Sequence, residues 1–268
     1  MTKAQKKNIA GILKNTYIYL VFLFLYLPIF YVIIFSFNTS KLNITFESFT
    51  FQWYGTFFKN RTLMEALTNT LIIGIISTII STIIGTIGAI GLSKYRFRGR
   101  EVIDKLLYIP IVIPEVVLGI ALLSIYSALS IPLGLISITL SHITFSIPFV
   151  VITVRARLAG FDKYLEEAAM DLGANRIVTF WRVTLPLIMP GVLSGAMLAF
   201  SLSIDDVIIS FFTAGPGSTT LPLKIFSMVK TGVTPEVNAL STVIMVVTII
   251  IIALNTAFQV KKLKAIKA

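Results

Sequence analysis

Six apolar runs of about twenty residues each are the feature that most limits how this chain of 268 residues can fold. A helix needs about 20 mostly apolar residues to cross the hydrocarbon core of a bilayer, where its backbone groups must pair within the chain. Apolar residues make up 56% of the sequence and charged residues only 13%. The sequence therefore predicts an all-α fold, an integral membrane bundle of six transmembrane helices. The predicted spans are approximately residues 17–37, 69–92, 102–129, 133–154, 187–212 and 240–258.

The basic residues are distributed unevenly among the connections. Eighteen of the 23 Lys and Arg residues lie at the two termini, between the second and third runs, or between the fourth and fifth runs. The positive-inside rule places such segments in the cytoplasm. Both termini and residues 155–186 are therefore predicted to be cytoplasmic, and residues 38–68 and 213–239 to face outward. The first run is too long for a cleaved signal peptide and is expected to remain as an anchor.

Several functional classes are excluded by what the sequence lacks. The net charge of +11 does not indicate nucleic-acid binding, because the basic residues form short blocks between apolar runs instead of one basic face with stacking aromatics. The chain has no Cys and a single His, and its acids show no metal-ligand spacing. It also lacks the G-x-x-x-x-G-K-[ST] motif that cradles ATP phosphates. We therefore expect a lipid-embedded chain that is not an enzyme and has no catalytic residues, no metal site and no cofactor of its own.

Small residues recur at every fourth position in two of the predicted spans. Such stripes let helix backbones approach closely in lipid. Packing within this chain is the favoured interpretation, and a dimer seam or pore wall is the alternative. The stripes are Ser77, Ser81, Gly85 and Ala89 in the second span, and Gly191, Gly195, Ala199 and Ser203 in the fifth.

The cytoplasmic segment 155–186 is too long and too patterned for a simple turn. Asp162 is suited to cap a short amphipathic helix that runs through Leu172. Gly173 fits the left-handed position that follows a helix, and Asn175 is suited to cap a second helix. The sequence predicts a helix–Gly–helix projection whose Ala-rich face can enter a groove on a soluble partner.

The same segment resembles the EAA motif of the permease subunits of ABC importers. The motif reads E-A-A, three residues, G, nine residues, I-x-L-P, and the spacing here is identical, with Val183 in place of the usual Ile. The resemblance implies a single transmembrane permease domain over residues 1–268, with the type I ABC-importer permease fold and a cytoplasmic coupling loop at 155–186. The coupling residues that it implies are Glu167, Ala168, Ala169, Gly173, Leu185 and Pro186.

The resemblance also implies partners. Two copies of a cytoplasmic ATPase subunit would supply the energy, with ATP and Mg bound to that subunit. A second, different permease chain would complete the membrane domain, and an extracytoplasmic binding protein would deliver the substrate. The expected location is the bacterial cytoplasmic membrane, as a multi-pass protein.

Further segments along nearly the whole chain resemble the permeases of spermidine/putrescine importers. They include Tyr95-Arg96-Phe97-Arg98-Gly99, Ser141-His142-Ile143-Thr144-Phe145, Ser203-Ile204-Asp205-Asp206-Val207 and Leu221-Pro222-Leu223-Lys224-Ile225. This resemblance implies ATP-driven import of polyamines. The alternatives are a permease of the same fold for ferric ion, thiamine or an inorganic oxyanion, a membrane enzyme, and a channel. An oxyanion carrier should favour basic pathway residues, and a channel would leave the coupling segment unexplained.

Three acidic residues fall within the predicted spans, where an ionisable side chain is costly and is a functional candidate by default. Asp206, Asp205 and Glu115 are therefore the candidate pathway residues for a polycation. The alternative is that they pair with Lys or Arg of a partner permease. Glu115 follows Pro110 and Pro114, a pair that is expected to kink the third span, and His142 is expected to pack or hydrogen-bond inside the fourth span.

Overall fold

A computed structural model describes residues 3–40, 44–160, 162, 164–232 and 234–267. These residues form helices and turns, with one isolated β-bridge between Asn38 and Phe49. A π-helical turn, Phe180–Thr184, connects α9 to α10. The all-α prediction is confirmed. The helices are α1 (Lys3–Phe35), α2 (Gln52–Lys59), α3 (Arg61–Lys94), α4 (Arg100–Leu106), α5 (Ile109–Val112), α6 (Glu115–Ala128), α7 (Leu135–Leu158), α8 (Tyr164–Asp171), α9 (Arg176–Thr179), α10 (Leu185–Asp205), α11 (Ile208–Thr213), α12 (Leu221–Thr231) and α13 (Pro235–Lys267).

Four helical stretches of the described chain are long and apolar enough to cross a membrane, and a bent pair, Arg100–Val112 with Glu115–Ala128, makes five if it counts as one span. They coincide with the first five predicted spans. The continuous part of α13 whose side chains the structure describes, Pro235–Ile250, is apolar but shorter than a span. The sixth span and the orientation of the termini therefore stay predictions. The four stretches are Lys14–Phe35, Arg61–Lys94, Leu135–Leu158 and Arg176–Asp205.

The third and fifth predicted spans are not the single helices that the apolar runs predicted. The third bends by 112° between α5 and α6, at Pro114, which supplies no backbone N–H and holds the preceding Ile113 in an extended conformation. The kink predicted from Pro110 and Pro114 is thus confirmed as a full break at Pro114, whereas Pro110 lies within α5. The fifth ends at Asp205, and Asp206 is extended with ψ 127° before α11 begins. Hydropathy reports which residues tolerate lipid and does not report whether the helix is continuous.

The described chain divides into two compact units. The first contains the residues up to Arg61 and those from Ser227 onward, and within it α13 packs against α1 and α2. The connection between α1 and α2 is organised by Asn38, which is fully buried. Its side-chain amide donates to the Thr45 carbonyl at 2.7 Å, and the Trp53 indole N–H donates to the Asn38 carbonyl at 2.6 Å.

The second unit, residues 62–226, is centred on α7, which packs against α10 over most of its length. Val150 of α7 contacts both small-residue stripes. A Cβ added to Gly85 of α3 would stand 2.7 Å from the Val150 Cβ, and one added to Gly195 of α10 would stand 3.3 Å from its Cγ1. Every residue of the two stripes is buried within the unit. The interpretation of the stripes as packing within the chain is therefore confirmed.

We expect Gly85→Ala to destabilise the protein, because its methyl group would overlap the Val150 side chain. Overpacking of this kind costs about 1–3 kcal/mol. Gly91→Ala in the same helix is the matched control, since an added Cβ there meets nothing within 4 Å. The control should gain slightly from the higher helix propensity of Ala. Thermal unfolding of the purified chain in detergent measures both variants, and equal midpoints for the two would contradict this packing.

Candidate functional site

The segment between α7 and α10 forms the projection that the sequence predicts. The Tyr164 amide donates to Asp162 Oδ1 at 3.0 Å at the start of α8, and the Val178 amide donates to Asn175 Oδ1 at 2.8 Å at the start of α9. Both predicted caps are confirmed. The helix α8 ends at Asp171, one residue earlier than predicted.

Gly173 has a φ of +90° and closes α8 in the way that sequence reasoning expected. Its amide donates to the Met170 carbonyl at 2.9 Å, and the Ala174 amide donates to the Ala169 carbonyl at 3.1 Å. These two bonds are the pair that defines a Schellman motif. A Cβ at Gly173 would meet nothing within 4 Å, so the backbone conformation, and not space, is what requires glycine here.

The outer surface of this segment is apolar and exposed. Leu172 is 90% exposed, and Leu165, Ile177 and Trp181 are also exposed. Within the EAA motif Glu167 and Ala168 are exposed, whereas Ala169 is half-buried. Leu185 and Pro186 occupy the first turn of α10, directly after the π-helical turn. The segment thus presents an apolar surface of the kind that marks a protein-interaction site.

The second candidate site is a buried polar cluster at the break between α10 and α11. Asp206 is 9% exposed, and its carboxylate caps the first turn of α11. Oδ1 accepts the Ile209 amide at 3.1 Å, and Oδ2 accepts the Ser210 amide at 2.7 Å. The same Oδ2 lies 3.3 Å from Nε2 of His142 in α7.

His142 of α7 also contacts serine hydroxyls of α10 and α11. Its Nδ1 lies 2.6 Å from the Ser203 hydroxyl, and its Nε2 lies 3.2 Å from the Ser210 hydroxyl. Ser203 in turn lies 3.1 Å from the Ser77 hydroxyl of α3. His142 is fully buried, so the expectation that it hydrogen-bonds inside the fourth span is confirmed. The cluster therefore holds α3, α7, α10 and α11 together through polar contacts in an otherwise apolar unit.

The three acidic candidates have different surroundings. Asp205, the last residue of α10, and Glu115, the first residue of α6 after the bend, are exposed. Asp206 is buried, and each of its oxygens accepts a hydrogen bond within the chain. The carboxylates of Asp205 and Glu115 are therefore accessible to a ligand, whereas that of Asp206 caps α11.

Sequence reasoning missed the serine partners of His142 and the break after Asp205. One signal could have revealed the break, because Asp is among the preferred capping residues and is followed here by a short apolar stretch that ends at Thr213. Ser203 was noted only as part of a small-residue stripe, and the pairing of Ser203 and Ser210 with His142 carried no usable signal, because they lie 61 and 68 residues from it in the chain. No grouping of three or more His, Asp or Glu side chains suited to a metal ion occurs in the part of the chain that the structure describes.

Comparison with known sequences finds a family and relatives that match most of the chain. The sequence model of the family described as "Binding-protein-dependent transport system inner membrane component" matches residues 81–261. The chain is 41% identical over 244 residues to the spermidine/putrescine transport system permease protein PotC of Escherichia coli K12, covering 91% of this chain and 92% of that protein. It is 40% identical over 231 residues to the putrescine transport system permease protein PotI of the same organism, covering 84% and 82%.

Among solved structures, a bacterial ABC transporter involved in the import of the acidic polysaccharide alginate has a TM-score of 0.75 at 18% identity, covering 96% of this chain and 98% of that one. The same transporter type in complex with an alginate-pentasaccharide-bound periplasmic protein has a TM-score of 0.69 at 17% identity, covering 94% and 93%. At this level of identity the structures establish a shared fold.

Proposed function

The chain belongs to the family of binding-protein-dependent transport system inner membrane components, and we propose that it is the permease subunit of an ATP-driven importer that carries spermidine and putrescine into the cytoplasm. The observation that carries the substrate assignment is the 41% identity to PotC over 91% of the chain. A second polyamine permease, PotI, is similar to nearly the same degree. The chain is a multi-pass protein of the cytoplasmic membrane.

The segment 155–186 couples the permease to the ATPase. Its exposed apolar surface is suited to enter a cleft on that subunit, and Glu167, Ala168 and Ala169 contribute to the contact. Gly173 fixes the angle at which α8 is presented, and the first turn of α10 carries the displacement into the membrane. A complete importer would contain two ATPase subunits with their ATP and Mg, a second, different permease chain and an extracytoplasmic polyamine-binding protein.

The acidic residues serve the passage of a polycation in two ways. Asp205 and Glu115 are exposed at helix breaks and can attract the amino groups of a polyamine. A charge pair in water-poor surroundings is worth several times its value in bulk water. Asp206 acts on the pathway through the position of α11, since its oxygens are engaged within the chain. Pairing of Asp205 or Glu115 with a basic residue of the partner permease is the competing arrangement.

Uptake by cells tests the proposed function. The chain and its partner subunits are expressed in a bacterial strain that lacks its own polyamine importers, and uptake of radiolabelled spermidine and putrescine is measured. Uptake should depend on every subunit. If the complex imports ferric ion or thiamine and takes up neither polyamine, the alternative substrate class is correct.

Six spans with both termini in the cytoplasm complete the proposal, and cysteine labelling tests this topology because the chain has no native Cys. Gln52 and Asp171 are both exposed. Gln52→Cys should react with a membrane-impermeant maleimide in intact spheroplasts, and Asp171→Cys only after permeabilisation. The reverse pattern would contradict the orientation.

A further inference from the structure

Glu166 attaches α8 to the end of α3 and to the π-helical turn that leads into α10. Its Oε1 accepts a hydrogen bond from Lys94 Nζ at the end of α3 and another from the Thr184 hydroxyl at the end of the π-helical turn. The Glu166 and Lys94 side chains are only 16% and 26% exposed. Thr184 is buried at 1% exposure. One carboxylate oxygen therefore joins three separate elements.

Adjacent glutamates of α8 thus have different surroundings. Glu167, the glutamate of the EAA motif, is exposed and available to a partner. Glu166 is turned toward the permease itself. Sequence reasoning singled out Glu167 and not Glu166, because the motif spacing marks only the former.

The contact is strong for physical reasons. Hydrogen bonds to an ionised acceptor are shorter and about twice as strong as neutral ones. Lys94 lies in the last turn of α3, where a cation is favoured by the helix dipole. A helix as short as α8 has little stability of its own, so its orientation is set by the contacts that hold it. Besides Glu166, α8 packs on α9 and on the π-helical turn.

Helix α10 begins directly after Thr184, and α3 and α10 meet at the buried polar cluster. Ser77 of α3 lies 3.1 Å from Ser203 of α10, and Ser203 lies 2.6 Å from His142. A displacement of α8 that is carried by Glu166 would therefore act on both helices that hold the break at Asp206. The Glu166 contacts lie at one end of this pair of helices and the polar cluster lies farther along them, so the helices themselves connect α8 to that break.

From this arrangement the geometry points to Glu166 as the positioning residue that holds α8 rigidly to α3 and to the π-helical turn that leads into α10, so that movement imposed on α8 reaches the intramembrane cluster. The inference rests on the proposed function, since it assumes that a partner moves α8. A surface ion pair without this role would contribute about 0–1 kcal/mol and would leave coupling unchanged when removed.

A double-mutant cycle tests whether the pair acts as a unit. Glu166→Gln, Lys94→Met and the double variant are reconstituted with their partner subunits, and polyamine transported per ATP hydrolysed is measured. Each single variant should lower this ratio by about tenfold, the factor that corresponds to losing one hydrogen bond to a charged group. The double variant should be no worse than either single variant. Glu101→Gln is the control, because it makes the same substitution at an exposed glutamate of α4 outside the coupling segment, and its ratio should stay near wild type.

Spin-label distances test the rigidity directly and require no substrate. Labels on Asp171→Cys in α8 and Met197→Cys in α10 report one distance distribution in the assembled complex. We expect a narrow distribution that stays the same with and without ATP and vanadate, and a broader one when Glu166→Gln is added. An unchanged distribution in that variant, or fully additive effects in the cycle, would overturn the inference. A wild-type complex that transports no polyamine but shows the expected distances would contradict the proposed function alone.

Discussion

Ala168→Glu is expected to abolish transport while the chain still folds and inserts. Ala168 is exposed on α8, so the permease itself has room for a larger side chain. In the assembled importer the same position would carry an unpaired charge into an apolar contact, at a cost on the order of 3–5 kcal/mol. Polyamine uptake should therefore fall at least about a hundredfold.

The measurement is uptake of labelled spermidine beside the amount of chain in the membrane and the amount of ATPase that co-purifies with it. Ala159→Glu is the matched control, because it places the same side chain on an exposed alanine just outside α8. If uptake is near wild type in the control and absent in Ala168→Glu, the contact with the ATPase lies on α8. Normal uptake in Ala168→Glu would remove the coupling role from this face.

The second large effect is expected at Asp206. Asp206→Asn keeps the size of the side chain but removes the carboxylate whose two oxygens accept hydrogen bonds from the Ile209 and Ser210 amides. One of the two acceptors becomes an NH₂ donor that faces another donor. We expect this loss to lower the free energy of unfolding by about 3 kcal/mol, because the amides at the start of α11 lose their acceptor. We expect uptake to fall strongly, and more than it does in Asp205→Asn, whose carboxylate is exposed.

A charge-preserving variant separates direct contact from positioning. Asp206→Glu retains the negative charge, but its longer side chain cannot hold both amides and His142 in the present geometry. If Asp206 acts by positioning α11, uptake should stay low in Asp206→Glu. The midpoint temperature of thermal unfolding should then be lower than wild type in both variants. Recovery of uptake in Asp206→Glu would contradict positioning and would favour a direct electrostatic role.

The features that sequence reasoning found are those set by local chemistry. Asp162, Gly173 and Asn175 occupy the capping positions predicted for them, because a cap depends on residues no more than four positions away. The small-residue stripes were also readable, since helix periodicity places Gly85 and its neighbours on one face. The first five apolar runs were readable from hydropathy alone, and each corresponds to a helical stretch or bent pair long and apolar enough to span a membrane.

The features that sequence reasoning missed depend on contacts between distant residues. The partners of His142 lie in α10 and α11, and those of Glu166 lie at the ends of α3 and the π-helical turn. No local pattern marks such pairs. The break after Asp205 was missed for another reason, since hydropathy is averaged over a window and the apolar signal of α10 continues into the apolar α11. The polar cluster that distinguishes Asp206 from Asp205 therefore required the folded structure.

The most direct test of the account is transport by the purified complex in proteoliposomes. The chain is reconstituted with its ATPase and second permease, ATP is supplied on the ATPase side, and labelled spermidine is supplied on the other side with the binding protein. We predict that spermidine accumulates against its gradient only when ATP and the binding protein are both present, and that unlabelled putrescine competes. ATP hydrolysis that the spermidine-loaded binding protein does not stimulate, with no spermidine accumulated, would contradict it.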